Sequence, residues 1–231
     1  MNLSPRLQKV ASLVPPGSIV ADIGSDHAFL PVYLVEEGIC PRVIAGEINE
    51  KPYLLASSQV EKRGLADHIQ VRWGDGLQVL APGEADVVVL AGMGGRTIKK
   101  ILCDTPEVTE TIRRFILQPM TEAGELRLWL SRHYFKISAE VLVEEKGRIY
   151  EVIVAEHGLE PASTEVTLTL GPRLVAEEHP LLRQHLDVLI ARERAILAQI
   201  EGRAGLSREN WERLRAVKTR LAGLEGIRAC L

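Results

Sequence analysis

Short apolar runs alternate with amphipathic segments over the first two thirds of the chain. A run such as Ile19–Ile23, bounded by prolines and glycines, is too short for a core helix and predicts a strand covered on both faces. The pattern predicts strands at 19–23, 43–47, 69–72, 86–91, 115–118, 137–145 and 149–156, and helices at 3–14, 30–37, 51–64, 96–102 and 122–133. Strands that alternate with helices indicate βαβ units and therefore an α/β fold.

The last two predicted strands are separated only by Lys146, Gly147 and Arg148. Because so short a link joins neighbouring antiparallel strands, these two strands predict a hairpin. We therefore expect a seven-stranded, mostly parallel sheet that is closed by an antiparallel hairpin and occupies residues 1–160.

A different pattern begins after the segment 160–163, which has the composition of a linker. Apolar residues there recur at steps of three, four or seven in two stretches, which predicts two antiparallel helices with residues 202–207 between them. Residues 161–231 are thus predicted to form a separate helical domain. The residues expected in its apolar seam are Leu182, Leu186, Leu189, Ile196 and Ile200 on the first helix and Trp211, Leu214, Val217, Leu221 and Leu224 on the second.

The composition, 46% hydrophobic in 231 residues, is sufficient for one α/β core and an extension. Cys40, Cys103 and Cys230 lie far apart and lack the spacing of metal ligands, so we expect free thiols and no metal. The first residues do not resemble a signal peptide, and no apolar run is long enough to cross a bilayer. We therefore expect a cytoplasmic protein without a membrane partner.

The net charge of −3 is unevenly distributed. Residues 179–231 carry ten Lys and Arg against six Asp and Glu, a net charge of +4, which leaves −7 for the first 178 residues. Such a tail could bind a polyanion. The competing explanation is that its arginines pair with glutamates of the same helix on a solvated face, and the charge count alone favours that explanation.

The turn after the first strand carries the first candidate chemistry. Gly24 ends the strand that contains Asp22, and Ser25, Asp26 and His27 follow it. A dinucleotide site would need the pattern G-x-G-x-x-G, which is missing here. Two carboxylates would repel a pyrophosphate, but they suit a cationic ligand such as S-adenosylmethionine. The alternative is that Asp22 and Ser25 only cap the next helix while Gly24 turns the chain.

Acidic residues also end the second and third strands. Glu47 lies where nucleotide-binding folds place the acid that accepts from ribose hydroxyls, although it could also simply open the following helix. Asp75 and Gly76 follow the third strand, where a carboxylate and a backbone N–H can bind an adenine ring, and a plain Gly-Asp-Gly turn is the alternative. These positions predict a nucleoside at one edge of the sheet.

The fourth strand ends in a glycine-rich run. Ala91, expected on the cofactor side, is followed by Gly92-Met93-Gly94-Gly95. Because so many glycines cost conformational entropy, we expect a flat ligand, the substrate base, against this backbone. Arg96 then begins a helix whose N-terminus could help to hold a phosphate.

Several segments together point to one family. They are Leu3-Ser4-Pro5-Arg6-Leu7, residues 21–31, Gly74-Asp75-Gly76-Leu77, Ala91-Gly92-Met93-Gly94-Gly95, Leu117-Gln118-Pro119 and Tyr150-Glu151. With these segments the chain resembles, over its whole length, the bacterial tRNA adenine-N1 methyltransferases that act at tRNA position twenty-two, the TrmK family. Met120 departs from the pattern, in which we expect an asparagine after Gln-Pro.

The resemblance implies a Rossmann-like class I methyltransferase with a C-terminal coiled-coil-like domain, S-adenosylmethionine as cofactor and tRNA as partner. Two sets of contacts are assigned on this basis and on the strand-end pattern. The residues assigned to the cofactor are Asp22, Gly24, Ser25, Glu47, Asp75, Gly76 and Ala91, and those assigned to the substrate are Gly92, Met93, Gly94, Gly95, Arg96 and Gln118.

The chemistry of N1 methylation places few demands on side chains. Adenine N1 carries a lone pair in the neutral base and can attack a sulfonium methyl without prior deprotonation, so positioning should dominate the rate. The methylated ring is cationic, and Asp26 could stabilise that charge or accept a proton from the N6 amine, with His27 as the alternative relay. Since N1 lies on the Watson–Crick edge, the base must be unpaired or flipped, and the basic tail is expected to contact tRNA phosphates.

Three other functions compete with this one. A non-catalytic RNA-binding protein with a retained methyl-donor pocket is disfavoured by the intact acids and glycine run, and a methyltransferase for a protein or a small molecule is disfavoured by the basic tail. A nicotinamide-dependent oxidoreductase is least favoured because the glycine fingerprint is missing. We expect a monomer, with a dimer as the alternative.

Overall fold

The computed structural model describes residues 2–202 and 207–231 of the chain. It divides into two compact units, Met1–Pro161 and Ala162–Leu231. Each unit has its own hydrophobic core and is described separately below.

The first unit is built around a seven-stranded sheet with the order β3-β2-β1-β4-β5-β7-β6. Strands β1 to β5 pair in parallel, and β7 and β6 add an antiparallel hairpin beside β5. The predicted seven-stranded, mostly parallel α/β fold is therefore confirmed. The strands are β1 (Ile19–Ile23), β2 (Arg42–Glu47), β3 (Ile69–Trp73), β4 (Val87–Met93), β5 (Arg114–Pro119), β6 (Phe135–Glu145) and β7 (Arg148–His157), and the helices are α1 (Pro5–Ser12), α2 (Phe29–Glu36), α3 (Glu50–Lys62), α4 (Gly95–Asp104), α5 (Pro106–Thr109) and α6 (Ala123–Arg132).

The core of this unit lies on the central strands. Val20, Val89 and Ile116, one from each of β1, β4 and β5, are fully buried, as expected for parallel strands covered on both faces. Between β1 and β4 the strand order reverses, because β2 and β3 continue on one side of β1 and β4 and β5 on the other. Open α/β sheets bind ligands at the carboxyl ends of the strands beside such a switch point.

The main differences from the predicted elements concern short or terminal segments. The 3₁₀ helix Gly76–Val79 and the single-turn helix α5 were not predicted, since neither is long enough to show a hydrophobic period. The hairpin is longer at both ends than predicted and turns through two residues only, Lys146 and Gly147, with φ of 52° and 74°. Two consecutive left-handed residues are the mark of a type I′ turn.

A buried ion cluster ties α6 to the hairpin. The guanidinium of Arg127 donates to Glu140 Oε1 over 2.5 Å and to Glu151 Oε2 over 2.6 Å, and the Arg127 side chain is fully buried. Burial alone would lower the pKa of Arg127, but the two carboxylates raise it above its ordinary value. The arginine therefore stays charged inside the protein and neutralises acids from both hairpin strands.

The second unit consists of α7 (Glu165–Leu170), α8 (Pro172–Ala176), α9 (Leu182–Glu201) and α10 (Arg208–Cys230). The two long helices pack against each other, and the buried Ile200, Leu214 and Val217 form an apolar cluster. Residues 203–206 of the predicted 202–207 connection lie outside the described residues.

Two of the residues predicted for the seam are placed differently. Leu189 is only half-buried, while its neighbour Ile190 is buried, and Trp211 is 59% exposed. The short helix α7 was not predicted, and it takes up one face of α10, where a Cβ on Gly223 would approach Val166 Cγ2 to 2.5 Å. The apolar residues of α10 thus pack against two helices, α9 and α7, rather than against α9 alone.

Four ion pairs of the second unit join α9 to α10 instead of linking residues of one helix. The pairs that join α9 to α10 are Arg194–Glu225, Lys218–Glu201, Arg220–Glu193 and Arg228–Asp187. The expected intrahelical pairing is therefore wrong for these residues, because their partners are brought close by the antiparallel packing. Within residues 162–202 and 207–231, the exposed Arg192, Arg213 and Arg215 form no ion pair.

Two features are absent from the part of the chain that the structure describes. None of the helices is long and apolar enough to cross a membrane. In the same residues there is no group of three or more His, Cys, Asp or Glu side chains that could hold a metal ion.

We predict that Arg127→Met lowers the free energy of unfolding by roughly 3–5 kcal/mol, since it leaves Glu140 and Glu151 without their buried countercharge. Arg113→Met is the matched control, because Arg113 lies 3.7 Å from Asp86 with its side chain 83% exposed. Removing such a surface pair should cost about 0–1 kcal/mol. Urea denaturation of the two variants measures both values, and equal losses would contradict the prediction.

Candidate active site

The candidate residues converge on the carboxyl edge of the sheet around the switch point. The turn after β1 donates to the end of β2, since Gly24 N and Ser25 N both bond to Gly46 O at 2.9 and 3.2 Å. Gly24 has φ of +77°, and a Cβ there would come within 3.1 Å of Met93 Cε from the end of β4. Three strand ends therefore meet at this glycine.

The alternative that Asp22 and Ser25 cap the next helix is wrong. Helix α2 begins at Phe29 after Ala28, and its N-terminus has no side-chain cap bond from the described residues. Instead Ser25 Oγ donates to Asp22 Oδ2 over 2.8 Å, and both side chains are buried. The serine hydroxyl thus takes the place of water as a hydrogen-bond donor to the buried carboxylate.

Glu47 is the second buried carboxylate of the site. It ends β2 with only 5% of its surface exposed, and its Oε1 accepts from Asp26 N over 2.7 Å. In the described part of the chain, this backbone N–H is the only donor to the Glu47 carboxylate. Its Oε2 therefore retains capacity to accept from hydroxyl groups of a ligand.

Burial changes the acidity of Asp22. Loss of solvation raises the pKa of this carboxyl to about 6, against the lowering effect of the Ser25 hydroxyl, while the Glu47 charge raises it further and the Arg6 charge lowers it. A carboxylate that is costly to ionise in the free protein favours a ligand that brings positive charge.

Asp26 and His27 lie on the exposed side of the same turn. Asp26 Oδ1 is 3.7 Å from His27 Nε2, and their side chains are 68% and 42% exposed. Asp26 has φ of 51°, a left-handed conformation that its bond to Glu47 helps to hold, and the His27 ring stacks on Phe29 at 5.2 Å. Strained residues of this kind are frequent at functional sites.

The end of β4 contains a bulge that the sequence did not predict. The β4–β5 pairing shifts between Ala91 and Met93, so the strand continues to Met93 through Gly92, which has φ of +79°. The N–H of Gly92 donates to Gln118 Oε1 over 3.1 Å instead of to a strand partner. Gln118 is completely buried, so it supports the bulge from below rather than offering its amide at the surface.

The two following glycines have an internal explanation. A Cβ on Gly95 would come within 2.8 Å of Glu122 O and 3.0 Å of Thr121 O, and one on Gly94 within 3.2 Å of Thr121 Oγ1. These contacts account for Gly94 and Gly95 without a substrate base, so the expected flat ligand explains only the open Gly92.

The N-terminus of α4 is also occupied by the protein itself. The Glu122 carboxylate accepts from Arg96 N over 3.4 Å and from Arg96 Nε over 2.8 Å. An acidic side chain at a helix N-terminus takes the place that a phosphate would have. The expected phosphate contact at Arg96 is therefore not supported.

The loop after β3 lies next to the Glu47 side of the site. Asp75 is exposed, and Gly76, with φ of +55°, packs against Ile101 of α4. Beside them the exposed ring of Trp73 is fixed by a bond from Nε1 to Ile48 O over 2.9 Å. Ile48 follows Glu47 directly, so two exposed apolar side chains border the acids of this side.

Sequence reasoning missed Arg6 as a site residue. Its Nη1 donates to Gln118 Oε1 over 2.6 Å, and its guanidinium lies over the Tyr150 ring, 5.7 Å from the centroid. Arg6 Nη1 is also 3.8 Å from where a Cβ of Gly92 would be. The only signal was that Arg6 and Tyr150 both belong to the segments quoted for the family resemblance.

Known proteins resemble this chain over nearly its whole length. A family model described as tRNA (adenine(22)-N(1))-methyltransferase matches residues 20–226. A Bacillus subtilis (strain 168) protein named tRNA (adenine(22)-N(1))-methyltransferase is 39% identical over 232 residues, covering 98% of this chain and 97% of that protein.

Solved structures give the same result. The crystal structure of the B. subtilis M1A22 tRNA methyltransferase TrmK is similar with a TM-score of 0.88 at 39% identity, covering 98% of this chain and 99% of that one. The structure of Streptococcus pneumoniae Sp1610 in complex with S-adenosyl-L-methionine has a TM-score of 0.86 at 35% identity and covers 98% of this chain and 100% of that one.

The raised pKa of Asp22 predicts a pH-dependent effect of Asp22→Asn. Because the folded pKa of about 6 exceeds the unfolded value of 3.8, ionisation of Asp22 lowers the free energy of unfolding as pH rises from about 4 to 6. Asp22→Asn cannot ionise at this position, so its free energy of unfolding does not fall in this way. The difference in free energy of unfolding, variant minus wild type, should therefore be larger at pH 7.5 than at pH 4 by up to about 3 kcal/mol.

Chemical denaturation of both proteins at the two pH values measures the difference. Asp26→Asn is the control, since it removes an exposed carboxylate from the same turn. A relative stability of Asp22→Asn that did not change with pH would show that the buried carboxyl carries no such penalty.

Proposed function

The chain belongs to the TrmK family of tRNA (adenine(22)-N(1))-methyltransferases, and we propose that its carboxyl-edge site transfers a methyl group from S-adenosylmethionine to N1 of an adenine in the D-arm region of tRNA. The observation that carries this proposal is the pair of buried carboxylates, Asp22 and Glu47, on either side of an open glycine turn. Neither of the competing functions, a non-catalytic RNA-binding protein or an enzyme with another substrate, is favoured by an observation of its own.

S-adenosylmethionine is a cofactor that these residues fit. It supplies a methyl group on a sulfonium centre, and it carries an ammonium group, a ribose and an adenine. Glu47 would accept from the ribose hydroxyls through Oε2, and Asp22, with Ser25 and the backbone of Gly24, would face the positively charged part. Asp75, Gly76 and Ala91 would surround the adenine.

The target base would lie on the other side of the turn. Gly92 and Met93 border this side, and Met93 Cε already packs near Gly24. We assign Gln118 a positioning role through Gly92 and Arg6, because its amide is buried and bonded within the protein. Gly94, Gly95 and Arg96 shape the loop through their contacts with residues 121 and 122.

Asp26 is our candidate for the catalytic carboxylate. Its side chain is exposed, its backbone is left-handed, and its N–H donates to the Glu47 carboxylate of the cofactor side. Adenine N1 attacks with its own lone pair, so the carboxylate is needed only for the positive charge of the methylated ring or for an N6 proton. His27, whose ring stacks on Phe29, is the alternative proton relay.

We further propose a division of labour between the two parts of the chain. Residues 1–160 would bind the cofactor and carry out the reaction, and residues 161–231 would bind tRNA through the unpaired arginines Arg192, Arg213 and Arg215. We expect a monomer that acts in the cytoplasm, where tRNA is modified.

Primer extension on tRNA treated with enzyme and S-adenosylmethionine tests the function. Methylation at N1 blocks Watson–Crick pairing and therefore stops reverse transcription at the modified adenine. The expected result is a single new stop in the D-arm region that depends on the methyl donor. Absence of the stop, with S-adenosylmethionine bound in calorimetry, would favour another substrate.

Two variants separate cofactor binding from chemistry. Glu47→Ala should weaken S-adenosylmethionine binding by about 1.5–3 kcal/mol through loss of a charged hydrogen bond. Asp26→Asn, which tolerates the left-handed backbone, should leave this affinity little changed but slow single-turnover methylation roughly a hundredfold. Calorimetry and rapid quench measure the two effects, and equal losses in both for Asp26→Asn would reduce it to a residue of the cofactor loop.

Neutralising the unpaired tail arginines should weaken tRNA binding. For Arg192→Gln, Arg213→Gln and Arg215→Gln combined, the slope of log affinity against log salt should fall by about 2–3, at roughly 0.7–0.9 for each lost phosphate contact. A triple variant of exposed cations in the first unit, Lys62→Gln, Arg132→Gln and Lys136→Gln, controls for net charge. If both triple variants changed the slope equally, the tail would have no specific role.

A further inference from the structure

The β6–β7 hairpin extends beyond the carboxyl edge at which the site lies. Its pairing with β5 ends at Leu117 and Ile153, although β5 itself continues to Pro119, which lies level with Glu151. Strand β7 begins at Arg148, three residues before Glu151, so the hairpin projects about 10 Å past the end of β5. We call residues 144–150 the hairpin end.

The hairpin end is tied to the substrate side of the site. Arg6 N donates to Glu145 Oε2 over 2.9 Å, and the guanidinium of Arg6 lies over the Tyr150 ring. The same guanidinium donates to Gln118, which also accepts from Gly92 N. The projecting segment therefore contacts Arg6 of α1, and through Arg6 it is connected to Gln118.

Its charges are available to a ligand. Lys146 and Arg148 are exposed, and neither forms an ion pair with any residue in the described ranges 2–202 and 207–231. Arg148 is the ladder partner of Glu145, whose carboxylate accepts from Arg6 N and stays charged, because that bond and the charges of Arg6 and Lys146 lower its pKa. Glu144, which is exposed, is the only other acid of the hairpin end.

We propose that the hairpin end, with Arg6 at its base, contacts the phosphodiester backbone of the tRNA beside the target adenosine. A base taken out of the helical stack must be held by contacts to its flanking phosphates, and exposed Lys and Arg side chains supply such contacts. The proposal rests on the proposed function and adds an RNA contact in the first unit to the one expected in the tail.

The test compares two double variants at opposite ends of the same hairpin. Lys146→Ala with Arg148→Ala removes the cations of the hairpin end, and Arg132→Ala with Lys136→Ala removes two exposed cations near the start of β6. The measurement is tRNA affinity as a function of salt, together with S-adenosylmethionine affinity and single-turnover methylation at saturating tRNA.

We expect the hairpin-end variant to bind tRNA several-fold more weakly, with a salt slope smaller by about two. Its cofactor affinity should equal that of wild type, and the control variant should match wild type in tRNA affinity, salt slope, cofactor affinity and methylation rate. An unchanged salt slope for the hairpin-end variant, or an equal loss in the control, would overturn the inference while wild-type methylation stood. A wild-type protein that neither bound nor methylated tRNA would overturn the proposed function as well.

Discussion

The site depends on the burial of two carboxylates, Asp22 and Glu47, at neighbouring strand ends. Burying negative charge is costly unless donors surround it, and among the described residues each carboxylate receives one hydrogen bond, from Ser25 Oγ and Asp26 N respectively. The free protein therefore holds an excess of negative charge in a fixed place. A cofactor with a sulfonium and an ammonium group matches that charge without rearrangement, which is how a preorganised site gains affinity and orientation.

The side of the site that we propose for the substrate depends instead on one buried amide. Gln118 Oε1 accepts from both Gly92 N and Arg6 Nη1, so the β4 bulge and helix α1 share a single acceptor. Tyr150 holds the other face of the Arg6 guanidinium. Any displacement of α1 or of the hairpin must therefore change the environment of Gly92, although these elements are far apart in sequence. In the proposed site, positioning of the base, on which N1 methylation depends most, would therefore be shared by three elements.

The sequence predicted those parts of the site that depend on local patterns, and it missed those that depend on contacts between residues far apart in the chain. Gly24 and Glu47 were predictable, because the carboxyl ends of parallel strands converge wherever the strands are correctly placed. Arg6 was not, since one arginine on an amphipathic helix gives no local signal of a bond to a residue 112 positions away. The occupation of the α4 N-terminus by Glu122, the close approach at Gly95 and the exposure of Trp211 likewise depend on segments that no local pattern connects.

Recognition of RNA depends on cations that the protein has not already paired with its own acids. The net charge of a segment does not show how many such cations it has. The tail carries a net charge of +4, yet Arg194, Lys218 and Arg228 are paired with acids of the facing helix. Residues 1–178 carry a net charge of −7, yet Lys146 and Arg148 are exposed and unpaired among the described residues. Because exposed charges are screened within about 8–10 Å at physiological salt, a phosphate near the hairpin end experiences mainly Lys146, Arg148 and the two acids Glu144 and Glu145. The proposed contact therefore depends on where these two exposed cations stand relative to a phosphate, and not on the net charge of residues 1–178.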